Sequence, residues 1–155
     1  MRFAQAMGIH RRDCYEGIGI APEEAVQRKR VFWIAYVLDR HVALRARQAP
    51  ILHDDDMDLD LPPETILPSD DSSVDQAGFI SVNDDEGGKL THFNLFRARV
   101  ELAQIQSRVY DCVFSVRASR MDPDEAAQTA RNIRLAIRNW KAKIPGQLNV
   151  LPQAV

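Results

Sequence analysis

The segment of residues 30–40 constrains the fold of this chain most strongly, because a helix formed there would be apolar on two sides. Its apolar side chains extend into two helical stripes, namely Val31, Ile34, Leu38 and Val42, and beside them Trp33, Val37 and Leu44. Such a helix is expected to lie between neighbouring elements rather than on the surface. Pro22 suits a first helical position, and Glu23 and Glu24 favour the positive end of the helix dipole. We therefore predict a long buried helix from residue 22 to about 45.

Three further segments have helical spacing. Residues 2 to about 9 predict a short helix that stops near Gly8, and Thr91 is a candidate cap for a helix running to about 118. The last helix is predicted to begin at the Asp122-Pro123 pair and to end at 145–146. No stretch alternates with period two. The predicted fold class is therefore all-α, a helical array or bundle in a single domain of residues 1–150.

A long acidic loop is predicted between the second and third main helices, at about residues 48–88. This loop has no Lys or Arg and contains twelve acidic residues: Asp54, Asp55, Asp56, Asp58, Asp60, Glu64, Asp70, Asp71, Asp75, Asp84, Asp85 and Glu86. A loop longer than about 12–15 residues is usually functional or disordered. We expect the first half of the loop to be ordered and the part from Asp70 to Gly88 to be mobile. We also expect the acidic residues to attract the basic segments on either side of the loop, or a basic partner.

Few residues have the spacing of a chemical site. Cys14 and Cys112 are too far apart to suggest a zinc site, which requires four ligands. His53 beside Asp54 and Asp56 allows a divalent-metal site, but the segment lacks the glycine and glutamate of a calcium loop. We expect Asp39 and Arg40 to form an ion pair or a hydrogen-bonded anchor between helices, because an unpaired buried charge is very costly. The sequence predicts no catalytic residues and no resident cofactor.

The order of residues 30–62 resembles the middle regulatory region of fungal zinc-binuclear-cluster transcription factors, the fungal-specific transcription factor domain. That family carries an Arg-x-Phe-Trp-x-x-Tyr-x-x-Asp-Arg helix, then a Pro turn with Asp-x-Asp-like residues and Leu-Pro. The matching positions are Arg30, Phe32, Trp33, Tyr36, Asp39, Arg40, Pro50, Asp54, Asp56 and Pro62. Residues 3–11 and 140–145 are also similar to family segments. Arg47 departs from the pattern, since the family often has there a glycine that supplies positive φ at little cost.

The resemblance implies a regulatory domain of a nuclear transcription factor that modulates RNA polymerase II transcription. It implies that DNA and zinc are bound by a separate six-cysteine module that this chain lacks, so that the chain is a fragment, the C-terminal part of a larger domain. A small-molecule effector or a co-regulator protein would act on the domain, and a homodimer is possible. No apolar run reaches the roughly 20 residues that span a membrane.

Two other functions stay open at the level of sequence. The chain could be a stand-alone protein-interaction module from a truncated relative, competing for the partners of longer proteins. It could also be a metal-dependent enzyme that uses His53, Asp54 and Asp56 as ligands. The resemblance favours regulation over both.

Overall fold

The structure is a computed structural model that describes residues 1–16, 19–64, 78–83 and 90–148. In chain order these residues form helix α1 (Arg2–Ala6), helix α2 (Pro22–Ala46), strands β1 (Phe79–Asn83) and β2 (Leu90–Asn94), helix α3 (Leu95–Val113) and helix α4 (Pro123–Lys143). Short 3-10 turns occupy Arg12–Cys14, Asp54–Asp56, Ala118–Arg120 and Gly146–Leu148. The described part of the chain is therefore mostly helical.

Helix α2 begins at Pro22 and ends at Ala46, which confirms the helix predicted from residue 22 to about 45. Its C-cap is Arg47, with φ of 55° and ψ of 36°, in the left-handed region. A side chain there is unfavourable because its Cβ crowds the following carbonyl, by roughly 1–2 kcal/mol. The position where the family often has glycine therefore does require positive φ, and this chain meets the requirement with an arginine.

A two-stranded antiparallel hairpin precedes α3, and the strict all-α prediction did not include it. Strands β1 and β2 pair with Ile80 opposite Phe93 and Val82 opposite Thr91. Thr91 lies in β2 and does not cap α3; the cap is Asn94, whose side-chain oxygen accepts a hydrogen bond from the Arg97 N–H at 2.9 Å. Strands of five residues give too few repeats for a period of two to show in sequence, and their pairing is non-local.

Helices α2 and α3 run side by side in the same direction. The first turns of α3 lie near Trp33, and Phe114 at its C-terminal end lies under Arg47, whose Cζ is 5.6 Å from the ring centroid. Helix α4 returns along α3 in the opposite direction, with the Trp140 indole N–H donating to the Ala98 carbonyl at 2.8 Å. Asp122 caps α4, as the sequence predicts.

The core lies between α1, α2, α3 and the segment of residues 50–62. Its fully or almost fully enclosed side chains include Phe32, Trp33, Tyr36, Leu52 and Val100. Helix α4 has no buried residue, so it covers α3 without enclosing a second core among the described residues. No described helix is long and apolar enough to cross a membrane.

The prediction that α2 is buried on both sides was wrong for one side. The first stripe of the sequence analysis is exposed at every position: Val31, Ile34, Leu38 and Val42 are between 50% and 62% accessible. We call these four residues the outer face of α2. The core elements pack only against the opposite side of the helix, because the 50–62 segment and α3 both lie there.

The acidic loop divides into two parts. Its first part, residues 50–62, is packed on the core, with Leu52 and Leu59 buried, as expected for an ordered half. In the second part, predicted to be mobile from Asp70 to Gly88, residues 79–83 form β1. Residues 65–77 and 84–89 lie outside the described residues.

Candidate functional site

Arg40 is the centre of the most connected polar network that the structure describes. The side chain is 1% exposed and lies on the core side of α2, one turn after Tyr36. Its Nη1 donates to Asp39 Oδ2 at 2.8 Å, and its Nη2 donates to Asp54 Oδ1 and to the Leu52 carbonyl, each at 2.6 Å. One guanidinium group therefore fastens the 50–62 segment to α2.

Two motif residues on α2 complete this network. The Tyr36 hydroxyl donates to Asp54 Oδ1 at 2.8 Å, so that one carboxylate oxygen accepts from both Tyr36 and Arg40. Asp39 accepts from the backbone N–H of Ile51 with both oxygens, at 3.2 and 3.1 Å. The ion pair expected for Asp39 and Arg40 is present, but it anchors a loop to a helix instead of joining two helices. Arg40 Nε is buried with no partner among the described residues.

Burial sets the ionisation of this network. Desolvation raises the pKa of Tyr36 well above its ordinary value; the Arg40 charge opposes the rise and Asp54 adds to it. Desolvation works to lower the pKa of Arg40, but its hydrogen bond to Asp54 and the effects of Tyr36 outweigh it, and the pKa is raised. Tyr36 is therefore a neutral donor and Arg40 a cation at neutral pH. The guanidinium also lies over the Tyr36 ring, 4.3 Å from its centroid.

The aromatic residues of the motif form one cluster beside this network. The Trp33 ring meets Phe32 at 5.2 Å and Tyr36 at 5.3 Å between centroids, both in edge-to-face geometry. Such pairs contribute about 0.5–1.5 kcal/mol beyond their buried area. The indole N–H donates to the Asp60 carbonyl at 3.1 Å, which fixes the far end of the 50–62 segment.

A recess opens where the motif helix meets the Pro62 turn. Lys29, Arg30 and Trp33 line it from α2, and Phe96 lines it from α3. Its volume of about 120 Å³ is well below the roughly 300–1,000 Å³ of small-molecule sites. As it stands, the recess has room for a side chain or a few water molecules.

Asn94 is an important residue that the sequence analysis missed. Besides capping α3, its side chain donates to the Pro63 carbonyl at 2.8 Å, and Arg97 donates to the carbonyl of Pro62. Asn94 is 5% exposed, and its contacts join the hairpin, the Pro62 turn and α3. The only local signal is an asparagine before a helical pattern, and Thr91 gave the same signal three residues earlier.

The remaining motif residues fall into two groups. Pro50 and Pro62 are buried near the two ends of the 50–62 segment, whereas Asp56 is exposed and outside the Arg40 network. His53 is also exposed, and Asp54 already accepts from Tyr36 and Arg40. Within the described ranges, no three His, Cys, Asp or Glu side chains are grouped so that they could hold a metal ion.

Some of the acidic side chains do meet basic ones, as the charge pattern suggests. Arg12 Nη2 donates to Asp60 Oδ1 at 2.6 Å, and the Arg12 backbone N–H donates to Asp58 Oδ1 at 2.7 Å. Arg97 lies 3.9 Å from Glu64. Arg12 of the N-terminal segment thus helps to hold Asp58 and Asp60 in place. Arg97 of α3 does the same for Glu64, just beyond the 50–62 segment.

Comparison with known proteins relates this arrangement to fungal regulators. A family model described as the fungal specific transcription factor domain matches residues 1–142, which include every residue of the Arg40 network. An ABC-transporter-regulating transcription factor of Aspergillus oryzae is 37% identical over 145 residues, covering 94% of this chain and 15% of that protein. The protein of the same description from Aspergillus fumigatus has the same identity and coverage.

A third relative is the Fusaridione A cluster transcription factor of Fusarium heterosporum, 31% identical over 141 residues, with 91% of this chain and 24% of the relative covered. The chain therefore spans less than a quarter of the length of these curated relatives. No solved structure matches it. The motif residues, the relatives of 30% identity or more and the family match over residues 1–142 lead to one conclusion: the chain belongs to the fungal specific transcription factor domain family.

Proposed function

We propose that this chain is a regulatory region of a nuclear fungal transcription factor and modulates RNA polymerase II transcription of target genes. The observation that carries the proposal is that the family match includes the whole network by which Arg40 fastens the 50–62 segment to α2. In this proposal, DNA and zinc are bound by another part of the protein. The network serves to keep the surface of the regulatory region in one arrangement.

The geometry favours contact with a co-regulator protein over a small-molecule effector at the motif. The recess beside Trp33 has room for a side chain, and its polar lining combines the basic Lys29 and Arg30 with the acidic Asp60. A regulator can shift this region between states only if it binds one arrangement of the 50–62 segment better than another. The segment is a suitable element for such a shift, because it has no regular secondary structure beyond one 3-10 turn and its polar contacts to α2 are made by only a few side chains.

A reporter assay tests the proposal. The 155-residue chain is joined to a heterologous DNA-binding module, and reporter transcription in fungal cells is compared with that from the module alone. We expect the chain to change the output, and Asp54→Ala to abolish the change because Tyr36 and Arg40 lose their shared acceptor. Asp56→Ala is the matched control and should behave as the parent chain, since Asp56 makes no described contact with Tyr36 or Arg40. Equal output with and without a folded chain would contradict the proposal.

The same assay addresses the stand-alone interaction module, which the exposed apolar side chains of α2 support. A competing module acts without being tethered to DNA. If the untethered chain lowers the output of a longer relative while the tethered chain has no effect, the interaction module is the better description.

A further inference from the structure

The stretch of residues 60–63 is held by three side chains that all donate to its backbone carbonyls. The contacts are those of the Trp33 indole N–H with the Asp60 carbonyl at 3.1 Å, of Arg97 with the Pro62 carbonyl, and of the Asn94 amide with the Pro63 carbonyl at 2.8 Å. The three donors belong to α2, α3 and β2. Three elements of the fold therefore converge on four residues of irregular backbone.

The two prolines explain why the contacts are made through carbonyls. Pro62 and Pro63 have no backbone N–H, so their carbonyls are the only backbone groups that can form hydrogen bonds. A residue that precedes a proline favours an extended conformation, which applies to Leu61 and Pro62. Trp33 and Phe96 line the recess beside both prolines. Extended proline-containing peptides are bound by aromatic-lined grooves in the same manner, because their backbone has little entropy to lose.

Arginines stand near the acidic residue at each end of the stretch. Arg12 Nη2 donates to Asp60 Oδ1 at 2.6 Å, and Arg97 Nη2 lies 3.9 Å from Glu64 Oε2. Residues 60–64 thus have the order acid, leucine, proline, proline, acid. Complementary charges of this kind contribute to the specificity of an interaction more than to its affinity. The surface that holds the stretch is therefore matched to both its prolines and its acids.

Four side chains, Trp33, Asn94, Phe96 and Arg97, form the surface that we call the proline site. We propose that the proline site binds an acidic, proline-containing peptide of a partner protein, and that residues 60–64 occupy it within the chain until the peptide displaces them. The recess of about 120 Å³ beside Pro62 gives the incoming peptide an open first contact. The partner's role rests on the proposed function, since displacement frees the end of the 50–62 segment that Trp33 holds.

Peptide binding to a loosened chain tests the proposal. The probe is a synthetic peptide with the sequence of residues 58–64, and the loosened chain carries Asp60→Ala and Pro63→Gly, both at exposed positions. The first change removes the Arg12 ion pair, and the second gives the free stretch more conformational freedom. Because a competing ligand binds only the open fraction, its apparent dissociation constant should fall at least about threefold relative to the parent chain.

Nitrogen-15 NMR of the labelled chain, titrated with unlabelled peptide, measures this difference. The titration extends to about 10 mM, because a tethered segment competes at an effective concentration on the order of millimolar. The backbone amide signals of Leu61 and Glu64 should change in a saturable way as the peptide displaces them. In the loosened chain, the Trp33 indole signal should move towards its position in the parent chain, because a peptide carbonyl restores its hydrogen bond.

Two controls accompany the titration. A peptide with alanine in place of both prolines should cause no saturable change, and Asp56→Ala should bind the probe as the parent chain does, since Asp56 lies outside the proline site. Circular dichroism establishes folding, and Asp60→Ala alone replaces the double variant if that variant is unfolded. A folded, loosened chain whose Leu61 and Glu64 signals stay unchanged would overturn the proposal. Equal binding of the alanine peptide would do the same.

The titration involves no transcription, so its outcome is separate from that of the reporter assay. Peptide binding by a chain that leaves reporter output unchanged would contradict the proposed function and support the proline site. A chain that changes reporter output but does not bind the peptide would do the reverse.

Discussion

The two sides of α2 show how differently one helix can use similar apolar residues. On the inner side, Phe32 and Trp33 are at most 1% exposed and are joined to the 50–62 segment through Tyr36 and Arg40. On the outer side, residues of similar hydrophobicity such as Leu38 are more than half exposed. Hydropathy does not distinguish the two sides. Polar groups do, because among the residues that the structure describes it is the inner side whose side chains hydrogen-bond to partners elsewhere in the chain.

The largest expected difference between the two sides is in stability. Trp33→Ala should lower the free energy of unfolding by about 3–5 kcal/mol, because it removes an enclosed aromatic ring from the core. Leu38→Ala on the outer side should change it by less than about 0.5 kcal/mol at concentrations where the chain is monomeric. Urea denaturation followed by circular dichroism measures both. If Trp33→Ala lowered the free energy of unfolding by less than 1 kcal/mol, the inner side of α2 would not be the buried, stabilising side.

The next effect separates two neighbouring aspartates of the same turn. Asp54→Ala should destabilise the chain by about 1–3 kcal/mol, because the enclosed Tyr36 hydroxyl and Arg40 Nη2 lose the acceptor that the partly exposed Asp54 carboxylate gives them. The loss is limited because Arg40 keeps Asp39 and the Leu52 carbonyl. Asp56→Ala should have little effect, since its exposed side chain lies outside the Arg40 network. Equal losses for the two variants in thermal unfolding would show that Asp54 is not a fastening point.

A smaller effect concerns the end of α2. Arg47→Gly should be more stable than Arg47→Ala by about 1 kcal/mol, because φ of 55° is unfavourable for any residue with a Cβ. Both variants lose the contact of Arg47 with the Phe114 ring, so that their difference isolates the backbone. Paired denaturation curves measure it. If alanine proved as stable as glycine, the left-handed conformation of this residue would be disproved.

The smallest effect is a pH dependence near the Arg40 network. Desolvation and, after it, the charge of Asp54 raise the pKa of Asp111 above its ordinary 3.8. Because the pKa of Asp111 is raised on folding, this residue contributes to the free energy of unfolding most favourably below pH 3.8. That contribution is lost as the pH rises through the folded-state pKa. Asp111→Asn should therefore be slightly more stable than the parent chain at pH 7, and the gain should vanish at pH 3. A gain that is the same at both pH values would refute the raised pKa.

The extent of sequence-based prediction differed between local and non-local features. Helices α2 and α4 were predicted with nearly correct bounds, because Pro22, Asp122 and Pro123 are local signals of helix starts. The β1–β2 hairpin was missed, because its strands are short and each is stabilised by the other, which single-segment patterns do not report. The same limitation caused Thr91 to be chosen as the cap in place of Asn94.

The candidate site was predictable in its membership and not in its connections. The family motif named Tyr36, Asp39, Arg40 and Asp54, which the structure brings into contact, together with Asp56, which it leaves in solvent. The spacing of Asp54 and Asp56 gives no reason to separate them. Which of the two meets Arg40 depends on the path of the 3-10 turn Asp54–Asp56 and on how it is seated against α2.

The sequence by itself determined that α2 forms and that the chain belongs to a fungal regulatory family, because helix signals and motif residues are encoded locally. The tertiary structure decided which side of α2 faces the core. That choice follows from the position of the 50–62 segment, which supplies the described hydrogen-bond partners of Tyr36, Asp39 and Arg40 on one side of the helix. Period and hydropathy are equal on both sides of the helix, whereas the partners of buried polar groups are not.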